Sequence, residues 1–335
     1  MIQVKEYEMN SRTVVKVSVL LVTLVFVPMA AAGQSTQTSA SWSPPLTSWG
    51  HPDLQGTWTN TTTTPLERPE DLAGKEILTD EEWALRNPEA GLSDDRDSGD
   101  PVGFYNDYWL EQGELSKRTS LIVEPSDGRL PRATDAEQQL QSRVTSSYSS
   151  IGGAQFNSWT DFNVYDRCIS RGMPGAMTPG FYNHNYQIFQ TPDYVVIMVE
   201  MIHDARIIPL DGRSHVPPSL RQWMGDARGR WEGDTLVVET TNFTDKIQQR
   251  TGTVSGGDHN LSVVERFTRV DADTIDYEVT VTDPTVWTSS WTAVMPMTVL
   301  EGSLFEYACH EGNYFLPNAL RGSRAEEETA TVGSR

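Results

Sequence analysis

The chain has 335 residues and a formal net charge of −20, from 46 acidic and 26 basic side chains. A field of this sign repels nucleic acid and anionic membrane surfaces, and no Lys/Arg cluster in the sequence overrides it. We therefore expect no nucleic-acid partner.

The first 32 residues have the pattern of a cleavable export signal. Lys5, Arg12 and Lys16 precede an apolar run over residues 17–27, and three alanines follow at 30–32. The run is shorter than the roughly 20 residues that a transmembrane helix needs. We expect a signal peptide at 1–32 and an exported mature protein, periplasmic or secreted, with no membrane span. An uncleaved membrane anchor is the alternative.

The rest of the chain divides by composition into a leader, one domain and a tail. Residues 33–48 are rich in Ser, Thr and Pro and predict a flexible leader. A single β-rich domain is expected over 49–325, and a disordered tail over 326–335. The first part of this domain, 49–157, is predicted to be an irregular, partly helical wrap. Thr79 and Glu82 form a capping box, and a second helix is expected to begin near Thr134.

The second part of the domain, 158–316, has the pattern of antiparallel strands. Runs rich in Val, Ile, Thr, Tyr and Trp are separated by short turns. They cover residues 184–190, 194–202, 235–240, 261–270, 274–282, 291–300 and 304–309. Because no β-helix-β alternation is present, we predict a mainly β fold, an antiparallel up-and-down barrel or sandwich.

The two cysteines of the chain, Cys168 and Cys309, predict a disulfide if the protein is exported. Two buried thiols are the alternative. A bridge would bring Arg167 close to His310 and Glu311, and this cluster close to the 184–206 region.

That region carries the candidate chemistry. If Gln190 pairs with Tyr194 across a three-residue loop, His184 lies opposite Glu200, and strand alternation puts Arg206 on the same face. A two-residue loop at 192–193 instead places His184 near Met201 and His203. A histidine beside a carboxylate is an acid/base pair, and an arginine stabilises a developing negative charge.

We therefore predict one cavity with catalytic residues and substrate contacts. The catalytic residues are His184, Glu200, His203, Asp204 and Arg206, and the substrate-binding residues are Arg167, Tyr182, Tyr186, His310 and Glu311. The structural alternative makes Glu200, Asp204 and Arg206 a surface ion-pair ladder and His203 a core group. No cofactor is predicted, and a divalent metal at His184, His203 and His310 stays open. Position 314 is Tyr, so His310-Glu311 does not begin a zinc-protease motif.

Five stretches resemble a family of secreted bacterial proteins, a resemblance that implies export and brings no reaction with it. They are WGHPDLQGTWTN (49–60), RCISRGMPG (167–175), EMIHDARIIPLDGR (200–213), RWEGDTLVVETTNFTD (230–245) and EYACHEGNY (306–314). Gly56-Thr57-Trp58 and the hairpin at 231–236 are also similar to calycin barrels of the lipocalin type. That weaker resemblance implies a ligand-binding barrel.

Three functions follow as hypotheses. The first is an exported enzyme of lyase, isomerase or hydrolase type, with His/carboxylate acid–base chemistry on a small molecule in a β-barrel pocket. The second is a non-catalytic, lipocalin-like protein of the periplasm that binds a small-molecule ligand. The third is an envelope interaction protein without a pocket. A converging histidine, carboxylate and arginine favours the first, and an apolar lumen favours the second.

Overall fold

The computed structural model describes residues 42–86, 111, 113–141, 156–162, 164–180, 182–246 and 259–333. The predicted signal peptide and residues 33–41 of the leader lie outside these ranges. Within them, no helix combines the length and the apolar character needed to cross a membrane.

Eleven strands of the described residues form one sheet. They are β1 (Gly56–Thr59), β2 (Ile122–Glu124), β3 (Asn185–Gln190), β4 (Tyr194–Val199), β5 (Ala205–Pro209), β6 (Asp226–Glu232), β7 (Thr235–Thr241), β8 (Ser262–Arg269), β9 (Thr274–Thr282), β10 (Trp291–Val294) and β11 (Met297–Val299). The three α-helices of the described residues are α1 (Asp80–Arg86), α2 (Asp135–Gln141) and α3 (Phe315–Gly333).

The sheet curls into a nearly closed antiparallel barrel, which confirms the predicted fold class. The strand order is β5-β4-β3-β1-β11-β9-β8-β7-β6, with β10 beside β9 and β2. The two end strands, β5 and β6, lie side by side. At this seam Gly229 of β6 packs tightly, because a Cβ there would lie 2.7 Å from a Leu210 methyl and 2.8 Å from an Ile208 methyl.

Core side chains fill the barrel interior. Alternate residues of each strand face inward, as a period of two requires. Trp58, Tyr186, Phe267, Tyr277 and Met297 are among the fully buried members of this core. These packed side chains occupy the space inside the barrel.

Two of the helices, α1 and α2, begin where the sequence predicts. The Glu82 carboxylate accepts hydrogen bonds from the Thr79 backbone N–H and hydroxyl, and the Thr79 hydroxyl accepts from the Glu82 N–H, which completes the capping box of α1. Thr134 caps α2 by accepting from the Glu137 N–H. Residues 326–333 lie in α3, where we expected a disordered tail, because Ala and Glu in this segment are good helix formers.

The β3–β4 hairpin has the register of the two-residue loop, and the register with Gln190 opposite Tyr194 is wrong. Gln190 pairs with Val195. As a consequence the Glu200 N–H donates to the Asn185 carbonyl at 3.0 Å, and His184 is not opposite Glu200.

The strand expected over 194–202, whose alternation was extended to Arg206, is interrupted. β4 ends at Val199, and the chain turns back through Ile202 and His203, both at positive φ (63° and 50°). β5 then runs antiparallel to β4, with Arg206 opposite Ile197. Arg206 therefore faces the barrel interior, whereas Glu200 is on the outer side.

The C-terminal strands are also shorter than predicted. The run over 291–300 divides into β10 and β11 around Pro296, which lacks the N–H that a ladder needs. Residues 304–309 form no strand. They belong to a segment, residues 300–313, that crosses the outer face of β1, β3 and β4, and we call it the strap.

Candidate functional site

The strap is attached to the barrel at several points along its length. The Leu300 N–H donates to the Thr57 carbonyl at 2.9 Å, and the Phe305 N–H donates to Glu200 Oε1 at 2.6 Å. His203 Nδ1 lies 3.0 Å from the Tyr307 carbonyl. Because a carbonyl only accepts, this imidazole carries its proton on Nδ1. Glu200 and His203 thus position the strap.

The predicted disulfide between Cys168 and Cys309 is confirmed, and it forms the covalent attachment of the strap. The two Cα atoms are 5.7 Å apart, and the cross-link closes a sequence separation of 141 residues. The strap is therefore fixed near both of its ends.

Three adjoining clefts lie along the strap. The threonine cleft, about 760 Å³, is lined by Thr59, Thr61, Thr62, Thr64, Glu111 and Phe305, among others. The histidine cleft, about 510 Å³, includes Glu200, His203, Phe305, His310 and Glu311. The tyrosine cleft, about 900 Å³, includes Glu111, Tyr165, Tyr182, Phe305, Glu306 and Tyr307. These volumes are in the range of small-molecule sites.

One amide joins two carboxylates between the clefts. Asn185 Nδ2 donates to Glu111 Oε1 at 2.9 Å and to Glu200 Oε2 at 2.7 Å. The side chain of Asn185 is 6% exposed, and its Oδ1 has no hydrogen-bond partner within the described part of the chain. This orientation of the amide is the one that two carboxylates require, since Oδ1 would repel them.

Three phenols share a chain of hydrogen bonds at the tyrosine cleft. The Tyr165 hydroxyl lies 3.0 Å from that of Tyr182 and 2.8 Å from that of Tyr307. Burial, and the hydrogen bonds to Tyr182 and Tyr307, raise the pKa of Tyr165 well above its usual range. The Tyr165 hydroxyl therefore stays protonated, and its two hydrogen bonds hold the three rings in place.

His184 is buried and lines none of the three clefts. Arg171 Nη1 lies 2.8 Å from His184 Nε2. Since a guanidinium only donates, Nε2 accepts and the ring is neutral. Burial, and next the charge of Arg171, lower the pKa of His184 to about 3, against a backbone hydrogen bond at Thr178 that raises it. Gly180 leaves room for the ring, because a Cβ there would lie 2.0 Å from Nε2.

Arg206 is part of an ion pair inside the barrel. Its Nη1 donates to Glu265 Oε1 at 2.8 Å, its Nη2 contacts Oε2, and the Tyr277 hydroxyl donates to Oε1 at 2.9 Å. Desolvation opposes the charge of Arg206, but Glu265 outweighs it and the pKa of the guanidinium is raised. This arginine is therefore engaged by a structural carboxylate.

The structure divides the predicted residues among several environments instead of one cavity. Glu200, His203, His310 and Glu311 line the histidine cleft, and Tyr182 lines the tyrosine cleft. His184, Tyr186 and Arg206 are buried in the interior. Asp204 is half-buried, which raises its pKa, and Arg167 lies over the Trp159 ring at 5.2 Å. The turn at 200–203 reverses the chain before Asp204 and so separates Arg206 from Glu200.

The sequence left open a divalent metal held by His184, His203 and His310, but His184 is separate from the other two histidines. No group of three or more His, Cys, Asp or Glu side chains that is able to hold a metal ion is found among the described residues. His203 and His310 share the histidine cleft without His184.

Comparison with known proteins brings no function to this geometry. No protein-family model, no curated protein and no solved structure matches the chain. The nearly closed antiparallel barrel is consistent with the weaker resemblance to calycin barrels.

Sequence reasoning missed several residues that shape the clefts. Glu111, Tyr165 and Phe305 line them, and Glu265 neutralises Arg206. Glu111 reaches Asn185 across 74 positions of sequence, so no local pattern indicates the contact. A weak signal was present for Asn185, because amides at 183, 185 and 187 alternate on one face of a strand.

Proposed function

We propose that this protein is an exported binding protein that holds a small organic molecule in the clefts along the strap. The observation that carries the proposal is Phe305. This phenylalanine lines all three clefts and is 78% exposed, although the strap that holds it is fixed on both sides. A large aromatic side chain that is held beside adjoining clefts is suited to cover a bound ligand.

The proposed site lies outside the barrel, unlike the site of a lipocalin. The interior is occupied by packed aromatic and aliphatic side chains and by the Arg206–Glu265 pair. The outer clefts instead combine open volume with polar groups that are fixed by hydrogen bonds, such as Glu111 and Asn185. Such pre-organisation lowers the cost of binding.

The test is a small-molecule screen by thermal shift, followed by calorimetry of each ligand found. A ligand at 100 times its Kd should raise the free energy of unfolding by about 2.7 kcal/mol. Phe305→Ala should weaken binding by about tenfold or more, since truncation of a central aromatic contact costs about 2 kcal/mol or more and each tenfold in Kd is about 1.4 kcal/mol.

Phe189→Ala is the matched control. Phe189 is 47% exposed on β3 and lines none of the three clefts, so its truncation should leave the Kd unchanged. Equal Kd values for wild type and Phe305→Ala, or hydrogen-exchange protection that avoids residues 300–311, would contradict the proposal.

The histidine cleft favours a second candidate, the acid–base enzyme. His203, His310, Glu200 and Glu311 line this one cleft, and a histidine next to a carboxylate is suited to proton transfer. Incubation of each ligand with the protein, followed by mass spectrometry and NMR, distinguishes the two functions. An enzyme would convert the ligand and lose this conversion in His310→Gln, whereas a binding protein returns it unchanged.

Export and the secreted bacterial family belong to the same proposal. The signal-like segment 1–32, the acidic charge and a disulfide all suit an oxidising compartment outside the cytoplasm. Mass spectrometry of the protein from expressing cells should find an N-terminus near Gly33, and a mature protein that keeps residues 1–32 would refute export by cleavage.

A further inference from the structure

The tyrosine cleft combines aromatic faces with acidic side chains. Tyr182, Tyr307 and Phe305 contribute rings, and Glu111, Asp166 and Glu306 contribute carboxylates. No Lys, Arg or His is among the described residues that line this cleft. Asp166 has the Arg167 guanidinium close by, which leaves Glu111 and Glu306 as the charges directed to a ligand.

Glu111 is held in place by neutral donors. Its Oε1 accepts from the Asn183 backbone N–H at 2.8 Å and from the Asn185 amide, and its Oε2 accepts from the Thr61 hydroxyl at 3.0 Å. Neutral donors orient a carboxylate but do not cancel its charge. Through the shared amide of Asn185, the Glu200 carboxyl group is held close to that of Glu111.

The aromatic rings of the tyrosine cleft also favour a cation. The face of a phenol or phenyl ring is electronegative and attracts cations that lose their hydration, as in the aromatic cages that bind quaternary ammonium groups. Arg171 already lies over the Tyr165 ring at 5.4 Å, so the rings offered to a ligand are those of Tyr182, Tyr307 and Phe305. The hydrogen bonds through the Tyr165 hydroxyl fix two of these rings at little further cost in entropy.

We propose that the tyrosine cleft selects an organic cation, an amine or quaternary ammonium group on a small organic frame. This inference rests on the proposed function that the strap clefts bind a small molecule, and it names the class of ligand. The cation lies against the rings of Tyr182, Tyr307 and Phe305, and the carboxylates of Glu111 and Glu306 balance its charge. The net charge of the chain, −20, raises the local concentration of such ligands.

The experiment compares three probes that differ in charge and share a shape. They are choline, its neutral isostere 3,3-dimethylbutan-1-ol, and the anion 3,3-dimethylbutanoate, each titrated into the disulfide-bonded protein by NMR and calorimetry. The amines of the screening library are treated in the same way against their neutral analogues. We expect cations to bind at least tenfold more tightly than the matched neutral compounds, and more weakly at 0.5 M than at 0.05 M salt.

Two charge-removing variants locate the selectivity. Glu111→Gln keeps the shape of the side chain and should reduce the preference for cations several-fold. Because Glu111 also orders the backbone at Asn183, Glu306→Gln is the second variant; it lies on the exposed strap and is independent of that contact. Glu239→Gln, on the outer face of β7 and paired with Arg230, is the control that should leave the preference unchanged.

The outcomes separate this inference from the proposed function. Neutral or anionic compounds that bind at the strap as tightly as cations would overturn the cation inference and leave small-molecule binding intact. A Ca²⁺ or Mg²⁺ ion that binds at Glu111 in preference to the organic cations would also overturn it. If no probe and no library compound binds along the strap, the proposed function fails and the inference fails with it.

Discussion

Arg206→Met is the substitution for which the structure gives the sharpest expectation. Arg206 and Glu265 form a two-pronged ion pair inside the barrel, with side chains 2% and 0% exposed. The methionine fills a similar volume but leaves Glu265 without its cation in a space that water does not reach. Loss of one partner of a buried pair costs about 3–5 kcal/mol, a large fraction of the 5–15 kcal/mol that typically separates folded from unfolded states.

Urea unfolding, followed by tryptophan fluorescence, measures this cost. We expect a lower midpoint at an unchanged slope, which is the sign of lost stability without a change in the unfolded surface. The double variant Arg206→Met/Glu265→Leu should recover most of the loss, since an apolar pair avoids the desolvation penalty. Arg230→Met, in an exposed pair on the outer face of β6, is the control and should cost below about 1 kcal/mol.

A loss below about 1 kcal/mol for Arg206→Met would refute this reasoning, as would a double variant no more stable than the single one. A variant that stays stable but loses activity on a ligand would return Arg206 to the catalytic role that the sequence suggests. The expected outcome places it among the residues that hold the barrel together.

Two further predictions concern His184 and the disulfide. The pKa of His184 is lowered from about 6.5 in the unfolded chain to about 3 in the folded protein, so the folded state keeps this side chain neutral. The free energy of unfolding is therefore full above pH 6.5 and falls as the pH drops towards 3, by up to about 1.4 kcal/mol per pH unit. In His184→Gln, unfolding curves measured over this range should show a smaller dependence of stability on pH. Reduction of Cys168–Cys309, or its replacement by two serines, should lower the free energy of unfolding by about 4–5 kcal/mol in the chain-entropy model. Ligand binding, measured by calorimetry with and without reductant, should weaken as well. Unchanged binding after reduction would show that the strap holds its position without the cross-link.

The fold class was accessible from the sequence because its signals are local. The alternating runs in β8 and β9 and the capping box at Thr79 each depend on residues a few positions apart. The disulfide was accessible for a different reason, since two cysteines allow one intramolecular pair.

The site was less accessible because its contacts join distant segments. The turn at 200–203 uses Ile202 at positive φ, which a β-branched residue rarely adopts, so the sequence there resembles a continuing strand. That single turn moved Arg206 to the interior. Residues 304–309 of the strap were predicted as a strand because their composition resembles one, and the true partners of the strap, Glu200 and Cys168, come from far earlier in the chain.

The position of β1 in the sheet governs when the barrel is completed during synthesis of the chain. This four-residue strand lies between β3 and β11, and Trp58 pairs with Val299. Strands from opposite ends of the domain therefore pair to complete the sheet. The strand edges that β11 covers stay unpaired until β11 has been synthesised. Such long-range closure is slow, and truncation before residue 297 would leave β1 and β9 as exposed templates for pairing with other chains.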